Sequence, residues 1–124
     1  QLVAEEGVNE KMAEFITPIA ILGDQMTKFT TEIGFKGFQN PDEVGAAAVD
    51  YLRVAGHLVF GYLFARMAQV ALRQISAGNT DPFYVAKLQT ARFYFAKLFP
   101  ETATLMRTAR AGSKVLMDTD AVFA

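Results

Sequence analysis

The sequence predicts an all-α fold: an up-down antiparallel bundle of three long helices with a short C-terminal element. Three observations predict it. Asn40 to Ser76 run without a proline after Pro41. On either side of that stretch the apolar residues step by threes and fours, the helical signature. The connections between the three stretches are short, and short connections force neighbouring helices to run antiparallel.

In the first helix, from Lys11 to about Phe38, the apolar residues are Met12, Phe15, Ile19, Leu22, Met26, Phe29 and Ile33. This is a coiled-coil-like seam of about three heptads. Pro18 lies inside it. An interior proline removes the bond to the Glu14 carbonyl and bends the axis, but the seam crosses it in phase, so a kink is expected rather than a stop. Gly34 and Gly37 weaken the helix, and Gln39-Asn40-Pro41 turns the chain.

The second helix opens with Asn40-Pro41-Asp42-Glu43. Asn40 can cap free amides, Pro41 has no amide hydrogen to lose, and Glu43 can reach back as in a capping box. Gly78 stands where a left-handed cap is expected. The span gives a helix of about 35 residues, on the order of 50 Å. Asp42, Glu43, Asp50, Arg53 and His57 fall on one side, with Val44, Ala48, Tyr51, Leu52, Ala55 and Leu58 opposite. Past His57 the polar stripe continues as Phe60, Gly61, Phe64, Ala68, Ala71 and Ile75, while Arg66, Gln69 and Arg73 come up on the other side. A helix on a single core keeps one apolar face. This apparent swap predicts different covers for the two ends, and something to cover Phe60 and Phe64.

Asp81-Pro82 repeats the cap-then-proline start for a third helix, with Tyr84, Leu88, Ala91, Phe95, Leu98, Thr102, Leu105 and Ala109 in phase across Pro100. Lys87, Thr90, Tyr94, Lys97 and Glu101 form a solvated stripe. If Pro100 breaks the helix outright, the chain divides into four or five helices. Gly112 marks the end, and Ser113 to Ala124 is expected to dock Val115, Leu116 and Phe123 through a short helix or turn. Pro18 and Pro100 lie at similar distances from their helix starts, so matching bends at one level are expected.

Composition narrows the function classes. The 124 residues suit one domain. Twelve basic and thirteen acidic residues are mixed along the chain, which argues against the clustered positive charge of a nucleic-acid binder. With no cysteine there is no thiol chemistry. No unbroken apolar run reaches the length of a membrane span, and Glu5 and Glu6 stand where a signal peptide would be basic. The expected compartment is the cytoplasm. The 52% hydrophobic content is rich for long helices that expose much surface. The start at Gln1 reads either as processing or as a piece of a longer protein, and the apolar surplus favours the piece.

Candidate sites are few. His57, with Asp50 and Arg53 on its face, reads as a proton-handling cluster or, more simply, as a structural histidine with a polar partner. Glu-x-x-His pairs of a carboxylate-bridged metal bundle are missing from the sequence. Arg92 reads either as a stem covering apolar surface or as a fork pairing a carboxylate. Tyr51, Tyr62 and Tyr94 read as packing residues with satisfied hydroxyls. Phe60 and Phe64 are either buried under a sister helix or exposed for another domain or subunit.

Asp81-Pro82-Phe83-Tyr84-Val85-Ala86-Lys87-Leu88-Gln89-Thr90-Ala91-Arg92-Phe93-Tyr94-Phe95-Ala96, then Leu98-Phe99-Pro100-Glu101, resembles the extra C-terminal domain of certain bacterial acyl-CoA dehydrogenases. Asp50-Tyr51-Leu52-Arg53 with its Gly-rich apolar run, and Arg110-Ala111-Gly112 before Leu116-Met117, are similar to that family as well. The resemblance implies a helical bundle appended after a flavin-binding core. It also implies a parent that oxidises an acyl-CoA to the 2,3-enoyl-CoA with FAD and a glutamate base, and hands electrons to an electron-transfer flavoprotein. No catalytic, cofactor-binding or metal residue carries over to this stretch. The implied role is docking onto the rest of the enzyme and a homodimer mate, with Phe60, Phe64 and Arg92 as interface candidates. The rival readings are a free-standing helical adaptor or dimerisation module, and a bundle enclosing an apolar ligand near Phe60 and Phe64.

Overall fold

The computed structural model describes residues 1–7 and 9–120. Within them every element is helical: α1 (Leu2–Glu6), a 3₁₀ turn (Glu10–Met12), α2 (Ala13–Gln39), α3 (Asp42–Ser76), α4 (Pro82–Phe93), a π-helical turn (Tyr94–Leu98), α5 (Glu101–Ala109) and α6 (Lys114–Met117). α3 packs against α2, α4 and α5, so it is the common neighbour of the long helices. The first helix passes through Pro18 without stopping. Its seam is buried from Met12 through Phe15, Ile19, Leu22 and Met26 to Phe29, with Ile16 buried beside it, and Ile33 is half-buried.

The second helix has the expected bounds but a different start. Asn40 Oδ1 accepts from Asp42 N–H at 3.1 Å, yet Glu43 does not reach back to close a capping box. Its carboxylate instead accepts from the hydroxyl and amide of Ser113, at 2.7 and 3.3 Å. The far end is a Schellman cap: Gly78 has φ +87°, its N–H donates to Ile75 O, and Asn79 N–H donates to Gln74 O.

The face swap is not what the helix shows. Its buried line is Ala47, Val54, Gly61, Ala65, Ala68 and Ala71, a straight run at heptad-like spacing. All but Val54 are alanine or glycine, which lets α2, α4 and α5 approach closely. Gly61, Ala68 and Ala71 lie on the stripe expected past His57, while Ala47, Val54 and Ala65 are passed over by a reading weighted by side-chain bulk. Val49, Leu52, Val59, Phe60, Leu63 and Val70, the bulkier residues, face outward. α3 is also long and apolar enough to cross a membrane by length and composition alone, which a count of unbroken apolar runs does not detect. A third of that stretch is buried within the bundle.

The third helix does not survive Pro100 intact. Phe99 N–H donates to Tyr94 O at 2.9 Å, an i→i+5 bond that widens the turn just ahead of the residue that has no amide hydrogen. Inside the wide turn the phase changes. Tyr94 and Phe99 are buried, while Leu98 is exposed, so Tyr94 leaves the solvated stripe and Leu98 leaves the seam. α5 then resumes the expected line with Thr102, Leu105 and Ala109 buried.

The two prolines do share a level. A methyl added at Gly61 would lie 2.9 Å from the Phe99 ring and 3.6 Å from the side chain of Ile19, so α3 is notched where the residues next to Pro18 and Pro100 converge. α6 is a short helix, but Val115 and Leu116 are exposed rather than docked. Phe123 lies outside the described residues.

Candidate functional site

The wide turn before Pro100 builds a polar cluster between α3 and α5. The Tyr94 hydroxyl lies 2.9 Å from His57 Nδ1 and 3.1 Å from the His57 carbonyl. His57 Nε2 lies 2.8 Å from Glu101 Oε2, and Arg53 donates to the other oxygen of Glu101. Arg53 and His57 are one turn apart on α3, and Glu101 opens α5.

Proton counting restricts the arrangement. A carboxylate only accepts, so Nε2 carries a proton toward Glu101. The single tyrosine proton then goes to Nδ1 with a neutral ring, or to the His57 carbonyl with a ring protonated at both nitrogens. Burial pushes the Tyr94 hydroxyl up to about 12, so it is a neutral donor. The hydrogen bond from His57, with Arg53 beside it, holds Glu101 below the usual carboxylate range. Such a cluster fastens α5 to α3 and fixes the ring of His57.

Its aromatic surroundings are dense. Tyr94 stacks on Phe64 with centroids 4.4 Å apart and planes 20° from parallel, and meets Phe95 and Phe99 edge-on. Phe64 therefore belongs to the interior, as a half-buried ring packed against both halves of the core. It parts company with Phe60, which is 57% exposed. Arg92 Nε donates to Glu14 at 2.9 Å, with both side chains about half exposed. An exposed single-point pair of this kind contributes about 0–1 kcal/mol. Tyr51 shares a hydrogen bond with Thr30 at 2.7 Å, and Tyr62 accepts from Arg66 Nε at 3.1 Å.

A second polar cluster ties α1 to the end of α3. Gln69 is buried and donates to Glu6, itself buried. Asn9 donates to the other Glu6 oxygen at 2.9 Å, and Arg73 approaches at 3.3 Å. Arg66 bridges Glu5 and the Gln69 oxygen, 3.0 Å to each. The bonds from Gln69 and Asn9 hold Glu6 below the usual carboxylate range despite its burial.

His57 and Arg53 are thus brought together as expected, but their carboxylate is Glu101, and Asp50 does not join them. Tyr94 is the packing residue with a satisfied hydroxyl that one sequence reading expects, and only an α period carried uninterrupted through Pro100 puts it on the solvated stripe. Glu101 is exposed as expected, but its pairing with His57 and Arg53 is not foreseen. The signal that locates them is the proline itself, behind the aromatic run Phe93-Tyr94-Phe95. Among the described residues, no group of three or more His, Cys, Asp or Glu is placed to hold a metal ion.

No curated protein matches the chain. A family profile described as acetyl-CoA dehydrogenase C-terminal like matches residues 1–120, nearly the whole length. The chain belongs to the acetyl-CoA dehydrogenase C-terminal-like family.

Proposed function

We propose that this chain is a non-catalytic structural and oligomerisation domain of an FAD-dependent acyl-CoA dehydrogenase, a homodimer working in the cytoplasm. In this reading α2, α3 and the α4–α5 arm form an up-down-up bundle behind the flavin-binding domains. FAD, acyl-CoA and the electron-transfer flavoprotein meet those other domains. The observation that carries the reading is the family match over residues 1–120. The polar clusters support it, because each ties one helix of the chain to another.

The test uses the parent enzyme expressed from the whole reading frame. His57→Ala and Glu101→Gln are expected to lower its melting temperature and to leave turnover of the folded enzyme within about twofold. A loss of turnover on the scale of a general acid or base, about 10²-fold or more, with bound flavin and folding intact, would refute the non-catalytic role. An open reading frame that holds no flavin-binding core would favour the free-standing adaptor.

A further inference from the structure

The hydroxyl of Tyr94 has one proton and two acceptors within reach. His57 Nδ1 lies 2.9 Å from it and the His57 carbonyl 3.1 Å. In the middle of α3, that carbonyl serves the helix ladder with one lone pair and has a second to offer. Tyr94 is 4% exposed, so water is not at hand to replace either acceptor. On the far side of the ring, Glu101 Oε2 at 2.8 Å holds a proton on Nε2.

These distances give the cluster two complete arrangements. With a neutral ring, the Tyr94 hydroxyl donates to Nδ1. With a proton added at Nδ1, that nitrogen donates to the Tyr94 oxygen instead, and the hydroxyl proton goes to the His57 carbonyl. Every polar hydrogen keeps an acceptor in both, and the only motion is the rotation of one O–H bond. A shielded histidine with no such second acceptor strands a donor when it gains charge, which weakens the fold.

The surrounding groups suit the change. Imidazole is the side chain that changes charge between about pH 5 and 8. Burial pushes Tyr94 up to about 12, and the bond from His57 holds Glu101 below the usual carboxylate range. Both therefore keep their charge state over that interval, as does Arg53 on the other Glu101 oxygen. Among the described residues α2 adds no hydrogen bond or ion pair to the cluster: Glu14 pairs with Arg92, Glu32 with Arg110 and Asp24 with Lys28. The His57 side chain is 16% exposed, so water reaches the ring to deliver the proton.

We infer that the Tyr94 hydroxyl is a two-position rotor, turning from Nδ1 to the carbonyl of His57 when the ring gains a proton, so that the cluster changes charge with pH and loses no hydrogen bond. The α3–α5 face then gains a positive charge in mild acid and keeps its shape, and pH is read there as charge instead of unfolding. This switch goes beyond the structural role proposed above and does not depend on the parent enzyme.

The chain has one histidine, so the ring nitrogens of a 15N-histidine sample need no assignment. From about pH 8 to about pH 5, Nε2 is expected to stay protonated while Nδ1 takes up its proton. The His57 carbonyl carbon should shift with the same midpoint. Amide protection of Glu101–Ala109, corrected for intrinsic exchange, should stay within about twofold. In Tyr94→Phe the carbonyl response is expected to vanish, and α5 protection to fall about fivefold as the ring gains charge, because the new donor has no acceptor.

A neutral ring protonated at Nδ1, or a folded chain whose Nδ1 never takes a proton, would overturn the rotor. So would a carbonyl that does not respond in the unmutated chain, or responds equally in the variant. A fivefold loss of α5 protection in the unmutated chain would show that the second acceptor does not compensate. The measurements on the unmutated chain decide by themselves if Tyr94→Phe does not fold.

Discussion

The phenolic oxygen of Tyr94 lies 2.9 Å from Nδ1 of His57, and the i→i+5 turn that starts at Tyr94 puts it there. Replacing this tyrosine by phenylalanine keeps the ring on Phe64 and removes only the hydroxyl. Tyr94→Phe is expected to cost about 1–2 kcal/mol in urea unfolding, the penalty for a shielded polar atom left without its partner. The alkaline limb gives a second readout. The usual value for a tyrosine is 10.0, and the folded chain holds Tyr94 up to about 12. Over that window the unfolded chain loses the proton first, so the native state holds more protons and stability falls as pH rises. The contribution is complete below pH 10.0 and gone above about 12. In Tyr94→Phe that part of the slope disappears. An unchanged urea midpoint and an unchanged alkaline slope would refute the pairing.

Gly61 and Gly34 are expected to respond to alanine with opposite signs. At Gly61 the new methyl meets the Phe99 ring at 2.9 Å, and overpacking of this kind costs typically about 1–3 kcal/mol, more than the helix gains. At Gly34, exposed on α2, a methyl meets nothing within 4 Å, so Gly34→Ala is expected to stabilise by roughly 0.5–1 kcal/mol. Thermal melts of the two variants decide the matter, and a stabilised Gly61→Ala would mean that α3 is not notched around Phe99.

Acid should loosen the bundle. Glu5, Glu6, Glu43 and Glu101 are all held below the ordinary value of 4.5, chiefly by hydrogen bonds from Arg66, Gln69, Ser113 and His57 respectively. For a depressed carboxylate the unfolded chain binds protons first as pH falls, so the contribution is present above 4.5 and lost as pH drops through the lower folded values. A melting temperature followed downward from pH 6 is expected to fall below about 4.5. Glu6→Gln should shallow that fall. An equally steep acid limb in the variant would remove Glu6 from the account.

Phe60 and Phe64 are four residues apart and are expected to part company under mutation. Phe64→Glu puts a charge against the stacked face of Tyr94 and should cost several kcal/mol or prevent folding. Phe60→Glu changes a ring that is already more than half in water, so the fold of a dilute, dissociated chain should shift by no more than about 0.5 kcal/mol. Equal losses in denaturant titrations would place both rings inside.

The sequence made the helices legible where bulky residues define the inner face, and the failures have identifiable causes. The seam from Met12 to Phe29 was readable through Pro18 because six large side chains keep its phase. The inner line of α3 was legible past His57, where Gly61, Ala68 and Ala71 lie on the expected stripe, but not before it, where Ala47 and Val54 are passed over for bulkier neighbours. His57 announced a polar partner without naming it. Its carboxylate is 44 residues away in sequence, and a single wide turn decides whether Glu101 and Tyr94 reach it. Glu43 passed the local test for a capping box, but the distant Ser113 claims its carboxylate.

The turns at Asn40-Pro41 and Ala77–Asp81 carry a consequence for the order of folding. Gly37 approaches Val44 across the first. In the second, Asp81 N–H donates to Asn79 Oδ1, and the Asp81 carboxylate accepts from Phe83 N–H. Both hairpins can therefore close through neighbours in the chain, with little loop entropy to overcome. The clasp of α1 spans 61 to 67 residues instead, so it is expected to form last and open first. Amide exchange should accordingly run faster along Leu2–Glu6 than along the middle of α3, and equal protection of the two would show that the N-terminal clasp belongs to the nucleus.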